Sequence, residues 1–378
     1  MYVDTPLPLL GGLTPTQFMK RHWQKKPLVI RQAIAGMRPL LDRAELFDLA
    51  ALDEVESRLV VQAQPQSGKA WRLRHGPFTR KALPPLKQPG WTLLVQGVDL
   101  HDARIRDLRD QFRFVPDARL DDVMISYASD GGGVGPHFDS YDVFLLQVHG
   151  TRRWRIGRQK DLRLQPNMPL KILAHFEPEL EFVLEPGDML YLPPRYAHDG
   201  IAQGECMTYS IGFRSPSADE LAQEILQRLA EDTQREVPSS LYRDPDQTAQ
   251  FQSAKIPVAL AAFAKSALKQ SLRDPFAVQR ALGEYLSEPK ATVMFDASEP
   301  TVGALQSVAL DRCTRMLFDS RHIFINGEAF MAAGEDAKLM RILANKHALS
   351  AGQVSRLSPG ALDLLQEWVD AGWVQSLG

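Results

Sequence analysis

The sequence contains few of the features that mark membrane, secreted or disulfide-bonded proteins. It has two cysteines, Cys206 and Cys313, and their spacing fits neither a zinc site nor a disulfide framework. Its most apolar run, residues 258–264, is far shorter than the roughly 18 residues that a membrane-spanning helix needs. No basic segment followed by a long apolar one opens the chain. We therefore expect neither a secretory signal nor a membrane span, and we predict a cytoplasmic protein.

An excess of charge of one sign and the common nucleotide motifs are also missing. The formal net charge of −2 gives no overall positive field that could hold nucleic acid. The sequence has no Walker loop, no Rossmann fingerprint and no Gly-x-Ser-x-Gly elbow, so ATPase, dehydrogenase and hydrolase functions have no support. An apolar fraction of 44% and a charged fraction of 24% are those of a globular protein, and 378 residues exceed one ordinary core.

Residues from about 91 to 215 have the sequence pattern of short β-strands. Six runs rich in β-branched, leucine and aromatic residues are separated by Gly, Pro and Asp, among them "WTLLVQGV", "DVMISYAS", "DVFLLQVHG" and "RRWRIG". No long helical pattern interrupts them, which favours a barrel or a double-sheet jelly roll. Before this region, Thr14 can cap a short helix that leads into the strand-like "PLVIR".

Helical patterns take over at Ser217. The Ser-x-x-Glu capping box of Ser217 and Glu220 predicts a helix start, and helical character continues to about residue 290. The apolar surface of this block fits a subunit interface or simple packing on the barrel. Residues 291–378 hold an Asn326-Gly327 hairpin signal followed by two amphipathic helices, which fits a winged-helix-like domain. Residues 301–378 carry seven Lys/Arg and eight Asp/Glu, so direct DNA binding is not expected.

The stretch "GGGVGPHFD", residues 131–139, places two metal-competent side chains at the start of an apolar run. Residues i and i+2 of a strand point to the same face, so His137 and Asp139 project together. A third ligand has to come from a neighbouring strand, and His198 in "LYLPPRYAHDG" is the best candidate. Two imidazoles and one carboxylate form the facial triad of non-haem Fe(II) oxygenases, in which open coordination positions remain for cosubstrate and O₂.

A cation near this triad agrees with that interpretation. Fe(II) oxygenases of this kind usually take 2-oxoglutarate, whose distal carboxylate needs a buried partner, and Arg152 can bind it bidentately. Ser126 and Ser210, on predicted adjacent strands, are candidates to assist the same carboxylate. Two alternatives stay open at this point: a zinc- or manganese-dependent cupin enzyme that needs no 2-oxoglutarate, and a noncatalytic binding module that keeps the barrel.

The motifs "GGGVGPHFDSYDVFLLQVHGTRRWRIG", "LEPGDMLYLPPRYAHDG" and "YSIGFRSP" resemble those of the JmjC-type, cupin-fold 2-oxoglutarate oxygenases. Within that group, these motifs together with "RHWQKKPLVIR" and "HGPF" are similar to the bacterial ribosomal oxygenases, which hydroxylate an arginine of a large-subunit ribosomal protein. The resemblance is strong over residues 15–215.

The resemblance implies a mainly β plus α protein in three parts. These are a double-stranded β-helix catalytic domain over residues 1–216, with its core at about 91–215, a helical dimerisation region over 217–290 and a winged-helix-like domain over 291–378. It implies a homodimer. Its cofactors are Fe(II) and 2-oxoglutarate, and O₂ is the cosubstrate.

The resemblance also assigns residues and a substrate. It implies His137, Asp139 and His198 as catalytic iron ligands and Arg152 as the partner of the distal carboxylate. The expected substrate is Cβ of an arginine in a ribosomal protein of the large subunit, and another protein residue such as histidine is the alternative. Three residues are candidates to hold the substrate side chain: Asp130, Tyr141 and Asp142.

Overall fold

The computed structural model describes residues 3–62, 71–236, 240–249, 251–296 and 305–377. The chain divides into two compact units, Met1–Ser215 and Pro216–Gly378. None of the helices in these ranges combines the length and the hydropathy that a membrane crossing requires. Each unit is described separately below.

The first unit is built on one antiparallel sheet of nine strands. The strands are β1 (Leu28–Ile30), β2 (Ser57–Val61), β3 (Arg72–His75), β4 (Trp91–Val95), β5 (Leu120–Ala128), β6 (Asp142–Gly157), β7 (Leu180–Leu184), β8 (Met189–Leu192) and β9 (Ala197–Phe213). Their order is β1-β8-β6-β9-β5-β4-β2-β3, and β7 pairs with β6. The sheet includes β1, the strand predicted at "PLVIR", and β2 and β3 continue it beyond β4, so it extends beyond the run of strands predicted from about residue 91.

The two longest strands, β6 and β9, pair with each other in the interior of the sheet. The two runs predicted at residues 142–157 are one strand of 16 residues, because β9 pairs along its whole length. The register between β6 and β9 shifts on both sides of His149. Such irregularities bend a strand and increase its twist, so one strand can lie in two differently directed parts of the sheet. The first half of β6 pairs with β8 and the second half with β7.

Three short helices, α1 (Pro15–Arg21), α2 (Arg43–Leu49) and α3 (Ala103–Asp110), complete the first unit. Thr14 caps α1 as predicted, with its side chain accepting from the backbone N–H of Gln17 at 3.1 Å. Phe18 of α1 is fully buried and packs edge-on against Tyr191 of β8, with ring centroids 5.0 Å apart. Phe144 of β6 adds a third ring 4.9 Å from Tyr191. This aromatic cluster fixes the N-terminal segment to one side of β6.

The second unit begins with three helices, α4 (Ala218–Glu236), α5 (Val258–Ser271) and α6 (Ala277–Ser287). The predicted capping box precedes α4, because the backbone N–H of Glu220 donates to Ser217 Oγ at 3.2 Å. Helix α6 lies directly on a β-hairpin: a Cβ on Gly283 would stand 2.2 Å from the ring of Phe324. The division between a helical region and a terminal domain near residue 291 stays a prediction.

The rest of the second unit alternates short strands and helices. These are β10 (Ser307–Leu310), β11 (Met316–Phe318), β12 (His322–Ile325), β13 (Glu328–Met331), α7 (Gly334–Lys346), β14 (Ala348–Leu349), α8 (Ala351–Val354), α9 (Pro359–Asp370) and β15 (Val374–Leu377). The Asn-Gly turn joins β12 to β13, with Ile325 opposite Glu328, as predicted. Leu339 and Leu343 of α7 pack with Leu365 and Trp368 of α9 in a separate core. A three-stranded hairpin sheet beside these helices is the arrangement of a winged helix.

Candidate functional site

A cavity of about 340 Å³ opens in the first unit, and its walls carry all three predicted metal ligands. One nitrogen or oxygen atom from each of His137, Asp139 and His198 lies within 4.8 Å of the other two. Among the described residues, no other group of three His, Cys, Asp or Glu side chains comes together in this way. The structure therefore assembles the triad that the spacing predicted.

Backbone hydrogen bonds hold the three residues in place. The N–H of His137 donates to the carbonyl of His198 at 3.0 Å, and the N–H of His198 donates to the carbonyl of His137 at 2.8 Å. The carbonyl of Asp139 accepts from the N–H of Arg195 at 2.7 Å. Arg195 has a positive φ of 62° in the turn that follows β8, a backbone conformation that non-glycine residues adopt rarely. The turn between β8 and β9 is thus hydrogen-bonded to the loop that carries Asp139.

Both imidazoles present Nε2 toward the cluster. Nδ1 of His137 lies 2.9 Å from the carbonyl oxygen of Gly135, and Nδ1 of His198 lies 3.0 Å from that of Tyr196. A carbonyl only accepts, so Nδ1 carries the proton in each ring and Nε2 keeps a free lone pair. Burial, with the neighbouring His137, lowers the pKa of His198 to about 4. The ring is therefore neutral near pH 7, which is the form that binds metals.

Arg152 on β6 is a buried cation without an anionic partner in the part of the chain that the structure describes. The residue is 5% exposed, and its Nη1 donates to Ser126 Oγ at 3.3 Å. Its Nε and Nη2 atoms are buried without a hydrogen-bond partner within the described residues. A buried guanidinium is costly unless an anion pairs with it. The cavity beside the triad is thus built to receive a carboxylate or a similar anion.

The neighbours of Arg152 define the floor of the cavity. Ser126 faces Thr208 across the β5–β9 pairing, and Ser210 lies opposite Met124 in the same register. Both serines line the cavity, as predicted from their strands. The ring of Trp154 lies between Arg152, 5.7 Å from its centroid, and His198, 5.9 Å from it. A Cβ on Gly200 would come within 2.6 Å of that ring, so only glycine leaves Trp154 in this position.

The three candidate substrate residues have different positions. Tyr141 lines the cavity, but Asp130 and Asp142 are not among the residues that do. Asp142 alternates with the cavity-lining Val143 and points the other way, where it accepts from the hydroxyl of Tyr191 at 2.6 Å. Asp130 is exposed beyond β5 and accepts from the backbone N–H of Gly204 at 2.8 Å. The structure therefore corrects the placement of both aspartates.

Two other acidic residues, which the sequence analysis did not single out, line the cavity instead. Between Leu120 and Val123 the register moves three residues along β5 but two along β9, which is a β-bulge. Strict alternation would send Asp121 and Asp122 to opposite faces, and the bulge allows both to reach the cavity wall. The adjacent aspartates at the start of a strand were the available signal in the sequence. The bulge itself depends on the partner strand.

Burial also affects the phenol that faces these acids. Burial, together with the nearby carboxylates of Asp139 and Asp122, raises the pKa of Tyr141 well above its ordinary value. The hydroxyl is therefore neutral at physiological pH. The part of the cavity near Tyr141 holds three carboxylates, from Asp121, Asp122 and Asp139, and one guanidinium, from Arg58, so acidic groups outnumber basic ones there. Arg152 lines the same cavity without an acidic partner among the described residues. The two ends of the cavity thus suit groups of opposite charge.

Comparison with known proteins gives a consistent result for both units. Residues 107–221 match the model of the JmjC domain, and residues 268–375 match that of the ROXA-like winged helix. The chain is 36% identical, over 75% of its length and 74% of the other protein, to the ribosomal protein uL16 3-hydroxylase of Escherichia coli strain K12.

Solved structures agree with these matches. The crystal structure of E. coli YcfD superposes with a TM-score of 0.81 and 31% identity, covering 95% of this chain and 97% of that one. The structure of YcfD, a ribosomal oxygenase, in complex with cobalt and 2-oxoglutarate gives a TM-score of 0.79 and 30% identity, covering 96% and 98%. The predicted jelly-roll and winged-helix folds are confirmed. The chain belongs to the family of JmjC-domain ribosomal oxygenases.

Proposed function

We propose that the protein is an Fe(II)- and 2-oxoglutarate-dependent oxygenase that hydroxylates Cβ of an arginine in the ribosomal protein uL16. The observation that carries the proposal is the position of Arg152, a buried cation without an acidic partner among the described residues, in the same cavity as His137, Asp139 and His198. The relationship to the uL16 3-hydroxylase and to YcfD with bound cobalt and 2-oxoglutarate supports both the chemistry and the substrate.

The triad fits a divalent iron. Two imidazoles and one carboxylate supply hard and borderline ligands without a thiolate, and three protein ligands leave other coordination positions open. Their hydrogen-bonded Nδ1 atoms fix the ring orientations before a metal arrives. Iron with bound 2-oxoglutarate activates O₂ and supplies the oxidising power for hydroxylation of an unactivated carbon. We assign His137, Asp139 and His198 as its ligands.

The cationic end of the cavity fits the distal carboxylate of 2-oxoglutarate. The free N–H groups of Arg152 offer a bidentate partner, and the hydroxyls of Ser126 and Ser210 lie on the adjacent strands of the same cavity. Bound there, the dicarboxylate would neutralise the guanidinium, whose Nε and Nη2 have no hydrogen-bond partner from the described residues. This feature favours a 2-oxoglutarate enzyme over a zinc or manganese cupin enzyme and over a noncatalytic module, neither of which needs a buried cation here.

The acidic end of the cavity fits the side chain of arginine. Asp121 and Asp122 can pair with a guanidinium, and the ring of neutral Tyr141 can pack against its planar face. An arginine held at this end by its guanidinium would have its aliphatic carbons in the same cavity of about 340 Å³ as the triad. The two carboxylates favour arginine over a neutral histidine as the hydroxylated residue.

We further propose that the protein is a cytoplasmic homodimer, formed through the helices of residues 217–290. Several large apolar side chains of α4 and α5 are exposed, including Leu226 at 64%, Val258 at 80% and Leu268 at 64%. Exposed apolar side chains of this number are unfavourable in water and suit a two-fold interface. No DNA binding is proposed for the C-terminal domain, because its charges are balanced.

An assay of cosubstrate turnover tests the proposed function. The protein is supplied with Fe(II), 2-oxoglutarate and air, with and without purified uL16, and succinate is measured. We expect uL16 to stimulate succinate formation and the His137→Ala variant to abolish it. If other ribosomal proteins stimulate succinate formation but uL16 does not, the assignment of uL16 as the substrate is wrong. If no succinate forms at all, the assignment as an oxygenase is wrong.

A further inference from the structure

One glutamine lies between the acidic end of the cavity and a cation on the neighbouring strand. Gln96 follows β4 and lines the cavity, and its Nε2 donates to both carboxylate oxygens of Asp122, at 2.9 and 2.8 Å. Asp122 itself is 2% exposed, so a hydrogen bond to it is little weakened by solvent. The backbone N–H of Gln96 donates to the carbonyl of Glu56 at 2.9 Å, which fixes the base of the side chain.

The cation that determines the orientation of this amide is Arg58 of β2. Its Nη2 donates to Gln96 Oε1 at 3.3 Å and lies 3.9 Å from Met124 Sδ. If the amide were turned over, its oxygen would face the Asp122 carboxylate and its NH₂ group would face the guanidinium. Both contacts would then be repulsive, so the charges on the two sides specify one orientation of Gln96.

We propose that Arg58 and Gln96 are positioning residues that hold Asp122 in the orientation needed to bind the guanidinium of the substrate arginine. Arg58 acts through Gln96: it keeps the amide donor directed at Asp122, and the amide keeps the carboxylate directed into the cavity. This inference rests on the proposed function, because it assumes that a cationic side chain enters the acidic end. It adds two residues that determine substrate affinity and leave 2-oxoglutarate binding unaffected.

The physical basis is preorganisation of the carboxylate. A side chain that already has its bound orientation loses less conformational freedom when the ligand arrives, so affinity increases without a new contact. Arg58 and Gln96 are cavity-lining residues near Asp121, Asp122 and Tyr141, and neither contacts the triad through a hydrogen bond among the described residues. Their replacement should therefore change substrate affinity and not the catalytic step.

We call the arrangement in which Arg58 acts on Asp122 through Gln96 the relay. A double-mutant cycle distinguishes the relay from independent effects of Arg58 and Gln96 on substrate binding. The variants Gln96→Met, Arg58→Met and the double variant are assayed for KM and kcat with an arginine-containing uL16 peptide, and for KM with 2-oxoglutarate. Each single change should raise the peptide KM by roughly tenfold, with kcat and the 2-oxoglutarate KM within about twofold of wild type. Because Arg58 acts through Gln96, the double variant should bind the peptide no worse than Gln96→Met alone.

Matched variants complete the experiment. Gln88→Met makes the same chemical change outside this cavity and should leave the peptide KM unchanged. Arg58→Lys retains a cationic donor and should restore most of the affinity lost in Arg58→Met. Gln96→Glu keeps the shape of the side chain but places a carboxylate against Asp122, so it should raise the peptide KM even if Gln96→Met folds poorly. Circular dichroism at 222 nm identifies variants that fold.

The two hypotheses fail in different ways. If wild-type protein turns over the arginine peptide but the effects of the two methionine variants multiply, Arg58 does not act through Gln96 and the relay is disproved. An unchanged peptide KM in folded Gln96→Met and Gln96→Glu would also disprove it. If the wild-type protein itself neither binds nor modifies the arginine peptide, the proposed substrate is wrong instead.

Discussion

His137 and His198 lie against each other across a reciprocal backbone bridge, with their ring centroids 4.2 Å apart. Each residue donates its N–H to the carbonyl of the other, so the main chain and not the side chain ties the loop that carries His137 to the start of β9. The imidazoles are therefore available for a ligand without any loss of this backbone pairing. Metal binding and folding should respond differently to substitution at these two positions.

Substitution of His198 by alanine should remove metal binding and preserve the fold. The bridge to His137 uses only backbone atoms, and a neutral buried imidazole has no ion pair to lose. Affinity for Fe(II) or Co(II) should decrease by more than about a hundredfold. Loss of a residue that only orients a metal ligand already costs about 10- to 100-fold in affinity, and loss of the ligand itself should cost more. Isothermal titration with Co(II) measures the affinity, and circular dichroism measures the fold. Retained metal affinity would contradict the assignment.

Replacement of Arg152 by methionine should abolish 2-oxoglutarate binding without destabilising the ligand-free protein. The guanidinium is buried, and two of its N–H-bearing atoms have no partner within the described ranges, so an apolar chain of similar length removes a charge that these residues leave uncompensated. Thermal unfolding with and without saturating 2-oxoglutarate tests both parts. The wild-type Tm should rise on addition of the dicarboxylate, whereas the variant should show an equal or higher starting Tm and no rise. A large decrease of the starting Tm would indicate a structural role.

Neutralisation of Asp122 should weaken substrate binding much more than neutralisation of Asp130. A hydrogen bond to a charged group contributes about 1.5–3 kcal/mol, so Asp122→Asn should raise the peptide KM by roughly ten- to a hundredfold. Asp130→Asn is the matched control, because Asp130 is exposed and bonded to the backbone N–H of Gly204. Steady-state kinetics with a uL16 peptide compares the two. Equal effects would disprove the assignment of the acidic end.

Asp188 should contribute a pH-dependent part of the free energy of unfolding. Burial would raise the pKa of its carboxyl, but the N–H of Gln32 and the guanidinium of Arg31 outweigh burial and lower the pKa. A lowered pKa in the folded state means that the stabilisation is complete above the unfolded value of about 4 and is lost as the pH falls through the folded value. Urea unfolding of wild type and Asp188→Asn should differ at pH 7 and converge in acid. A constant difference would contradict this.

A charged residue on the exposed apolar face of α5 should dissociate the proposed dimer. Leu268→Glu places a carboxylate where a partner's apolar surface would bury it, and Ser266→Glu places the same group about 160° away around the helix. Light scattering coupled to size-exclusion chromatography gives the masses. We expect a dimer for wild type and Ser266→Glu and a monomer for Leu268→Glu. A monomeric wild-type protein would disprove the dimer.

The members of the triad could be predicted from the sequence because their residue types and spacing are distinctive. The predicted strand through His137 and Asp139 did not form: both residues lie in the loop between β5 and β6, where an isolated bridge joins His137 to His198 after the turn, strand and Pro-Pro sequence. The chemistry of the ligands then determined the kind of metal. Arg152 could be predicted in the same way, from its residue type and the strand that carries it.

The acidic end of the cavity could not be predicted, because it depends on pairing between strands distant in the sequence. Asp142 seemed a substrate residue from its position near the motif, but β8 and β9 fix β6 in a register that turns it toward Tyr191. Asp121 and Asp122 reach the cavity through a bulge that appears only when β5 pairs with β9. Strand alternation accounts for Asp142 once the cavity-facing side of β6 is known, but it gives the wrong face for one of the two aspartates beside the bulge.

The most direct test of the central claim is the mass spectrum of uL16 after incubation with the protein, Fe(II), 2-oxoglutarate and air. We predict the gain of one oxygen atom, located by fragmentation on Cβ of a single arginine, and no such gain with His137→Ala. An oxygen atom on any other residue type, or an unmodified uL16 in a reaction that consumes 2-oxoglutarate, would contradict the account.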